Sequence, residues 1–97
     1  MNKYKEYVKC HLGKRTQLEQ LAEECNELAQ AALKVIRAEG YSKNATTTSR
    51  EEATANLVEE AGDVLMVMEL LGLVPGGTTK QNPKWQRWKE RLAKDEL

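Results

Sequence analysis

Two acidic stretches hold the residues best able to do chemistry: Glu23-Glu24-Cys25-Asn26-Glu27 and Glu59-Glu60-Ala61-Gly62-Asp63. Each sets two adjacent carboxylates before a third, three residues further on. Residues three apart share one face of a helix, so Glu24 points with Glu27 and Glu60 with Asp63. Bringing those faces together gathers four carboxylates around one point, which is costly unless a cation sits among them. Like charges one turn apart also weaken a helix by roughly 0.2–0.5 kcal/mol per pair. None of the four has a Lys or Arg four residues away to offset this.

An oxygen-only donor set favours Mg²⁺, with Mn²⁺ as the alternative. Mg²⁺ is usually held by a few carboxylates together with phosphate oxygens and water. Four carboxylates without other ligands therefore point to a phosphate-bearing substrate that completes the coordination. A di-iron bundle would need Glu-x-x-His pairs, and the single histidine, His11, lies outside both stretches.

The elements that must position these residues are helices, and no strand pattern occurs. A short helix is expected over about residues 2–12, with Tyr4, Val8 and Leu12 at four-residue spacing and Gly13 ending it. Thr16 and Glu19 form a capping-box pattern for a second helix that runs to about Glu39 and stops at Gly40. Leu18, Leu21, Ala22, Cys25, Leu28, Ala29, Ala32, Val35 and Ile36 fall on one broad face of it. A polar loop over Tyr41–Thr48 follows. Ser49 and Glu52 then cap a third helix that reaches about Leu71, apolar almost all round and so expected at a subunit interface. Pro75-Gly76-Gly77 breaks the chain, and Asn82 and Pro83 supply a cap and first-turn proline for a last helix over 83–96. On the helical wheel Glu24 borders the apolar face of the second helix, and Glu27 lies just beyond. Glu60 falls between Val64 and Val67 inside the apolar sector of the third, with Asp63 beside it. Glu23 and Glu59 point further out.

Ninety-seven residues suit one domain, residues 1–97, with a modest core. Fifteen Lys and Arg balance fifteen Asp and Glu, which gives no electrostatic reason to expect nucleic acid. The last helix is basic, but Glu90, Asp95 and Glu96 dilute its charge, and no helix-turn-helix spacing is present. Cys10 and Cys25 lack metal-ligand spacing, and a reduced, cytoplasmic setting is expected. The N-terminal residues MNKYKEYVKCHLGKR have no apolar segment of the signal-peptide kind, and no run is long enough to span a bilayer. In that setting the sequon Asn44-Ala45-Thr46 and the terminal Lys94-Asp95-Glu96-Leu97 are chance matches.

The paired motifs resemble those of the MazG-like, all-α nucleoside triphosphate pyrophosphohydrolases, whose pattern is EExxE followed by ExxD. EECNE and EEAGD match in order, within TQLEQLAEECNELAQAALK and NLVEEAGDVLMVMELL. The resemblance covers roughly residues 12–74 and is similar to short phage- or prophage-type members; Lys89-Glu90-Arg91-Leu92 looks like their KxxRL-like element. It implies an all-α NTP pyrophosphatase-like bundle with two long central helices, and hydrolysis of nucleoside triphosphates to monophosphate and pyrophosphate with Mg²⁺. It also implies a homodimer or homotetramer whose active sites lie beside or across the interface. Carried over, Glu24, Glu27, Glu60 and Asp63 would be metal ligands, with Glu23 acting behind them. The interval between the motifs is long for a minimal domain. The downstream residues that contact phosphate in longer relatives have no clear match. Candidates for that role are Lys14, Arg15, Asn56, Lys89 and Arg91, of which Asn56, one turn before Glu60, is best placed. A catalytically inactive oligomer that binds nucleotide or metal as a sensor is the competing expectation.

Overall fold

A computed structural model describes residues 2–40, 48–73 and 78–95. These form four helices and no strand: α1 (Lys3–His11), α2 (Lys14–Ala38), α3 (Arg50–Leu70) and α4 (Thr78–Asp95). The expected loop over 41–47 and the Pro75-Gly76-Gly77 break lie outside the described residues.

Local chemistry explains most of the boundaries. Asn2 caps α1, its Oδ1 accepting from the backbone N–H of Tyr4 at 2.9 Å and of Lys5 at 3.3 Å. Ser49 caps α3, its Oγ accepting from the Glu52 N–H at 3.2 Å, as its sequence pattern requires. The helix α2 departs from expectation. It begins at Lys14 with Gly13 as its N-cap and no side-chain cap bond. Thr16 thus lies inside the first turn, where it cannot act as a cap, and Glu19 instead receives the Arg15 guanidinium at 3.1 Å. The α2 and α3 C-termini are closed by Gly40 (φ +81°) and Gly72 (φ +71°). After α3 the Leu73 N–H reaches back to the Met68 carbonyl at 2.9 Å, the closure that a left-handed glycine permits. The last helix also departs from expectation: α4 starts at Thr78, so Pro83 lies inside it rather than at its first turn. The residues ahead of the proline extend the helix at the loss of one helical hydrogen bond.

The extensive packing among the described residues is between α2 and α3, which form a hairpin. Gln17, Leu21, Glu24, Leu28, Ala31 and Val35 are the buried or half-buried positions that recur along α2. Ala53, Leu57, Glu60, Val64, Val67 and Leu71 do the same along α3 and its C-cap. Both series alternate steps of four and three, the seven-residue rhythm of a coiled-coil seam. The broad apolar face expected for α2 is therefore split. Leu18, Cys25 and Ile36 sit one residue on from the seam, about 100° around the helix, and are exposed. In α3 Val58 and Leu65 hold the same offset and are also exposed. Because the hairpin helices run in opposite directions, both offsets turn to the same flank, so the chain carries one uncovered apolar strip. The buried apolar side chains are small: Ala31, Ala53, Val64 and Val67.

The helix α1 buries no residue of its own. It is tied down by Lys5 to Glu69 at 3.3 Å and by Gln17, whose Nε2 donates to the Leu12 carbonyl at 2.7 Å. The two caps give a direct check. Ser49→Ala is expected to lower stability by about 1 kcal/mol in urea unfolding, whereas Thr16→Ala is expected to stay within about 0.5 kcal/mol of the parent.

Candidate metal centre

Glu24 and Glu60 are seam residues, one from each hairpin helix, and Asp63 follows Glu60 by three. Packing the seam brings one carboxylate oxygen of each within 4.8 Å of the others. All three side chains are half-buried. Oxygens bound to a common ion at about 2.1 Å lie roughly 3–4 Å apart, so the cluster is one small contraction from a coordination shell.

Glu24 divides its two oxygens. Oε1 accepts from Gln20 Nε2 at 2.8 Å. Oε2 is buried and has no hydrogen-bond partner among the described residues, and Glu60 Oε2 is in the same state. A buried acceptor left without a donor is costly. The ion pairs among the described residues, Lys5–Glu69 and Arg15–Glu19, do not involve the cluster. Burial pushes the Glu24 carboxyl above its ordinary pKa, and the charges of Glu27 and Asp63 push it further; the Gln20 hydrogen bond acts the opposite way. Acidic clusters are common on protein surfaces without an ion. The two buried, donorless oxygens are what make this one fit a cation.

The other residues singled out in the sequence fall into two groups. Glu27 is exposed one turn beyond Glu24, close enough to act on its charge but outside the three-oxygen cluster. Asn56 is half-buried one turn before Glu60, and Glu23 is exposed. These stay beside the cluster. Lys14 and Arg15 are exposed at the start of α2, about 14–15 Å along the helix axis from Glu24. Lys89 and Arg91 are exposed on α4, which makes no extensive contact with the hairpin. The α4 edge carries Trp85 and Trp88 stacked at 5.6 Å with planes 1° apart, beside a groove of about 520 Å³. His11 stacks on Tyr7 at 3.8 Å. The structure thus brings together the acidic residues and leaves the basic candidates apart from them.

Gln20 is the hydrogen-bonding neighbour of Glu24 that the sequence patterns did not single out. The signal was present: Gln20-Leu21-Ala22-Glu23-Glu24 repeats as Asn56-Leu57-Val58-Glu59-Glu60, an amide four residues before each inner glutamate. Comparison with family models, with curated proteins and with solved structures finds no match to this chain. No helix among the described residues is long and apolar enough to cross a membrane.

The raised Glu24 pKa has a definite sign. A carboxyl raised above its unfolded value favours the folded state when protonated and opposes it once ionised. In the metal-free protein, Glu24→Gln is therefore expected to raise the thermal midpoint at pH 7. The gain should vanish on acidification below the ordinary glutamate pKa. Unfolding scans across pH in chelator check both halves.

Proposed function

We propose that the protein is a Mg²⁺-dependent nucleoside triphosphate pyrophosphohydrolase, converting a (d)NTP and water to (d)NMP and pyrophosphate, in the manner of the MazG-like enzymes it resembles. The observation that carries the reading is the meeting of Glu24, Glu60 and Asp63 with two buried oxygens that lack donors. The order and spacing of the two motifs add to it. Glu24, Glu60 and Asp63 would hold the ion, and Glu27 would join from the exposed edge. Mn²⁺ suits the same oxygens. When bound, the ion neutralises phosphate charge and makes a water more acidic. Glu23 would orient ligand or water from outside the cluster, and the Asn56 amide, one turn before Glu60, would donate to a substrate oxygen. The water oxygen bonds to the α- or the β-phosphorus, its proton passing to one of the motif carboxylates, and the bond from that phosphorus to the bridging oxygen breaks. Attack at the α-phosphorus expels pyrophosphate; attack at the β-phosphorus expels the nucleoside monophosphate and leaves the water oxygen in pyrophosphate.

The same reading makes the protein a homodimer or homotetramer. A folded monomer of 11.0 kDa exposes about 5,600 Å² by size scaling, against 8270 Å² for this chain. Its radius of gyration is 17.5 Å, where a compact domain of this length has about 12.5 Å. A second copy laid on the apolar flank of Leu18, Ile36, Val58 and Leu65 would bury large side chains that are 42–68% exposed. Leu65→Glu is expected to shift the species seen by sedimentation to the monomer; an unchanged oligomer would remove that flank from the interface.

Activity decides the reading. Glu60→Gln and Asp63→Asn are expected to slow Mg²⁺-dependent pyrophosphate release more than about 100-fold, since loss of metal charge stabilisation amounts to several kcal/mol. Variants as fast as the parent, or orthophosphate as the sole primary product, would sink it. The separation of Lys14, Arg15, Lys89 and Arg91 from the carboxylates favours a second reading, in which the oligomer binds nucleotide or metal as a sensor. Mg²⁺-dependent nucleotide binding with no pyrophosphate release across a panel of NTPs and dNTPs distinguishes it.

A further inference from the structure

We propose that Gln20 is a positioning residue: its amide holds the Glu24 carboxylate in the plane that turns Oε2 into the cluster. The inference rests on the metal-binding reading above. Gln20 is half-buried one turn before Glu24, and its Nε2 donates to Oε1 at 2.8 Å. Among the described residues neither Glu60 nor Asp63 accepts a comparable bond. A glutamate's terminal torsion is soft and roughly two-fold. A donor on one oxygen removes that freedom and divides the roles, leaving Oε1 with the protein and Oε2, buried and without a donor, for the ion. Partners that orient metal-binding carboxylates in this way commonly tune affinity.

The chemical type of the donor matters as much as its place. A lysine here would hold Glu24 more strongly, because hydrogen bonds between charged groups are stronger. It would also set a permanent positive charge beside the cluster and compete with the divalent ion. An amide donates and adds no charge. Asn56, at the equivalent place in α3, is one methylene shorter, and no hydrogen bond joins it to Glu60 among the described residues. The device is therefore confined to the α2 side. A single side-chain pair at this spacing adds little to helix stability, so the positioning role and a purely structural one give different results.

Binding of Mn²⁺ alone to the full chain, read from the electron paramagnetic resonance signal of the free ion, tests the proposal alongside thermal midpoints in chelator. Gln20→Met, near in size but without a donor, is expected to weaken Mn²⁺ binding about tenfold and to leave the metal-free midpoint unchanged. Gln20→Lys is expected to raise the metal-free midpoint while weakening Mn²⁺ binding further. Parent-like affinity in Gln20→Met would overturn the positioning role, as would a loss of affinity matched by an equal fall in the metal-free midpoint. Parent-like affinity in Gln20→Lys would overturn the charge argument. Glu60→Gln separates the two levels of inference. If the parent binds no Mn²⁺, or Glu60→Gln binds it equally well, the metal reading falls and takes this one with it. If only the Gln20 variants match the parent, the metal reading stands alone.

Discussion

Two glutamates stand in the one extensive helix–helix seam among the described residues, at positions where the seven-residue rhythm calls for apolar side chains. Their seam neighbours Leu21, Leu28 and Leu57 are only half-buried, and the buried apolar side chains are two alanines and two valines. Burying a valine contributes at most about 1.5–3 kcal/mol. A core this thin has little with which to offset three carboxyl groups brought together. The tension is felt at Glu24, whose carboxyl pKa is pushed up by burial and further by the charges of Glu27 and Asp63. A cation is the chemical species that would turn that tension into cohesion.

The peripheral features follow from the same thinness. The second apolar strip, one residue on from the seam in both helices, offers burial that the seam itself does not supply. At one end of α2, Gln17 uses its side chain to tie the carbonyl of Leu12, so even this buried seam position is spent on joining α1 to the hairpin. The helix α4 adds an edge of stacked indoles and no extensive contact. The chain reads as an arrangement of helices with one shared centre, placed where its charges are.

Much of that centre was legible in the sequence. The spacing paired Glu24 with Glu27 and Glu60 with Asp63. Glu60 and Asp63 do meet Glu24, but Glu27 stays exposed outside the cluster. The wheel placed Glu60 between Val64 and Val67, where it is half-buried. Ser49 was legible as a cap because hydroxyl and glutamate stand at the required spacing just ahead of a helical pattern. Thr16 and Glu19 carry the same pattern and are not used, because Gly13 lets the helix begin earlier. Pro83 looked like a first-turn proline, but the residues before it are helical as well. The split of the α2 apolar face was not legible from a count of apolar residues. It depends on which side of a continuous stripe meets the partner helix, and Ala31 rather than Cys25 occupies that side. Gln20 escaped notice because a neutral amide attracts attention only once its hydrogen-bond partner is known.

The repeat of Gln20-Leu21-Ala22-Glu23-Glu24 in Asn56-Leu57-Val58-Glu59-Glu60 has one more consequence. The hairpin uses a single helical design twice, facing itself head to tail, as a homodimer would if its halves were joined in one chain. Symmetry of that kind would make the two inner glutamates chemical equals. Linking the halves in one polypeptide frees each to drift, and the loss of one methylene between position 20 and position 56 is such a drift. It leaves one carboxylate tethered and the other loose. A centre built from equal halves thereby gains two chemically distinct sides, a front and a back.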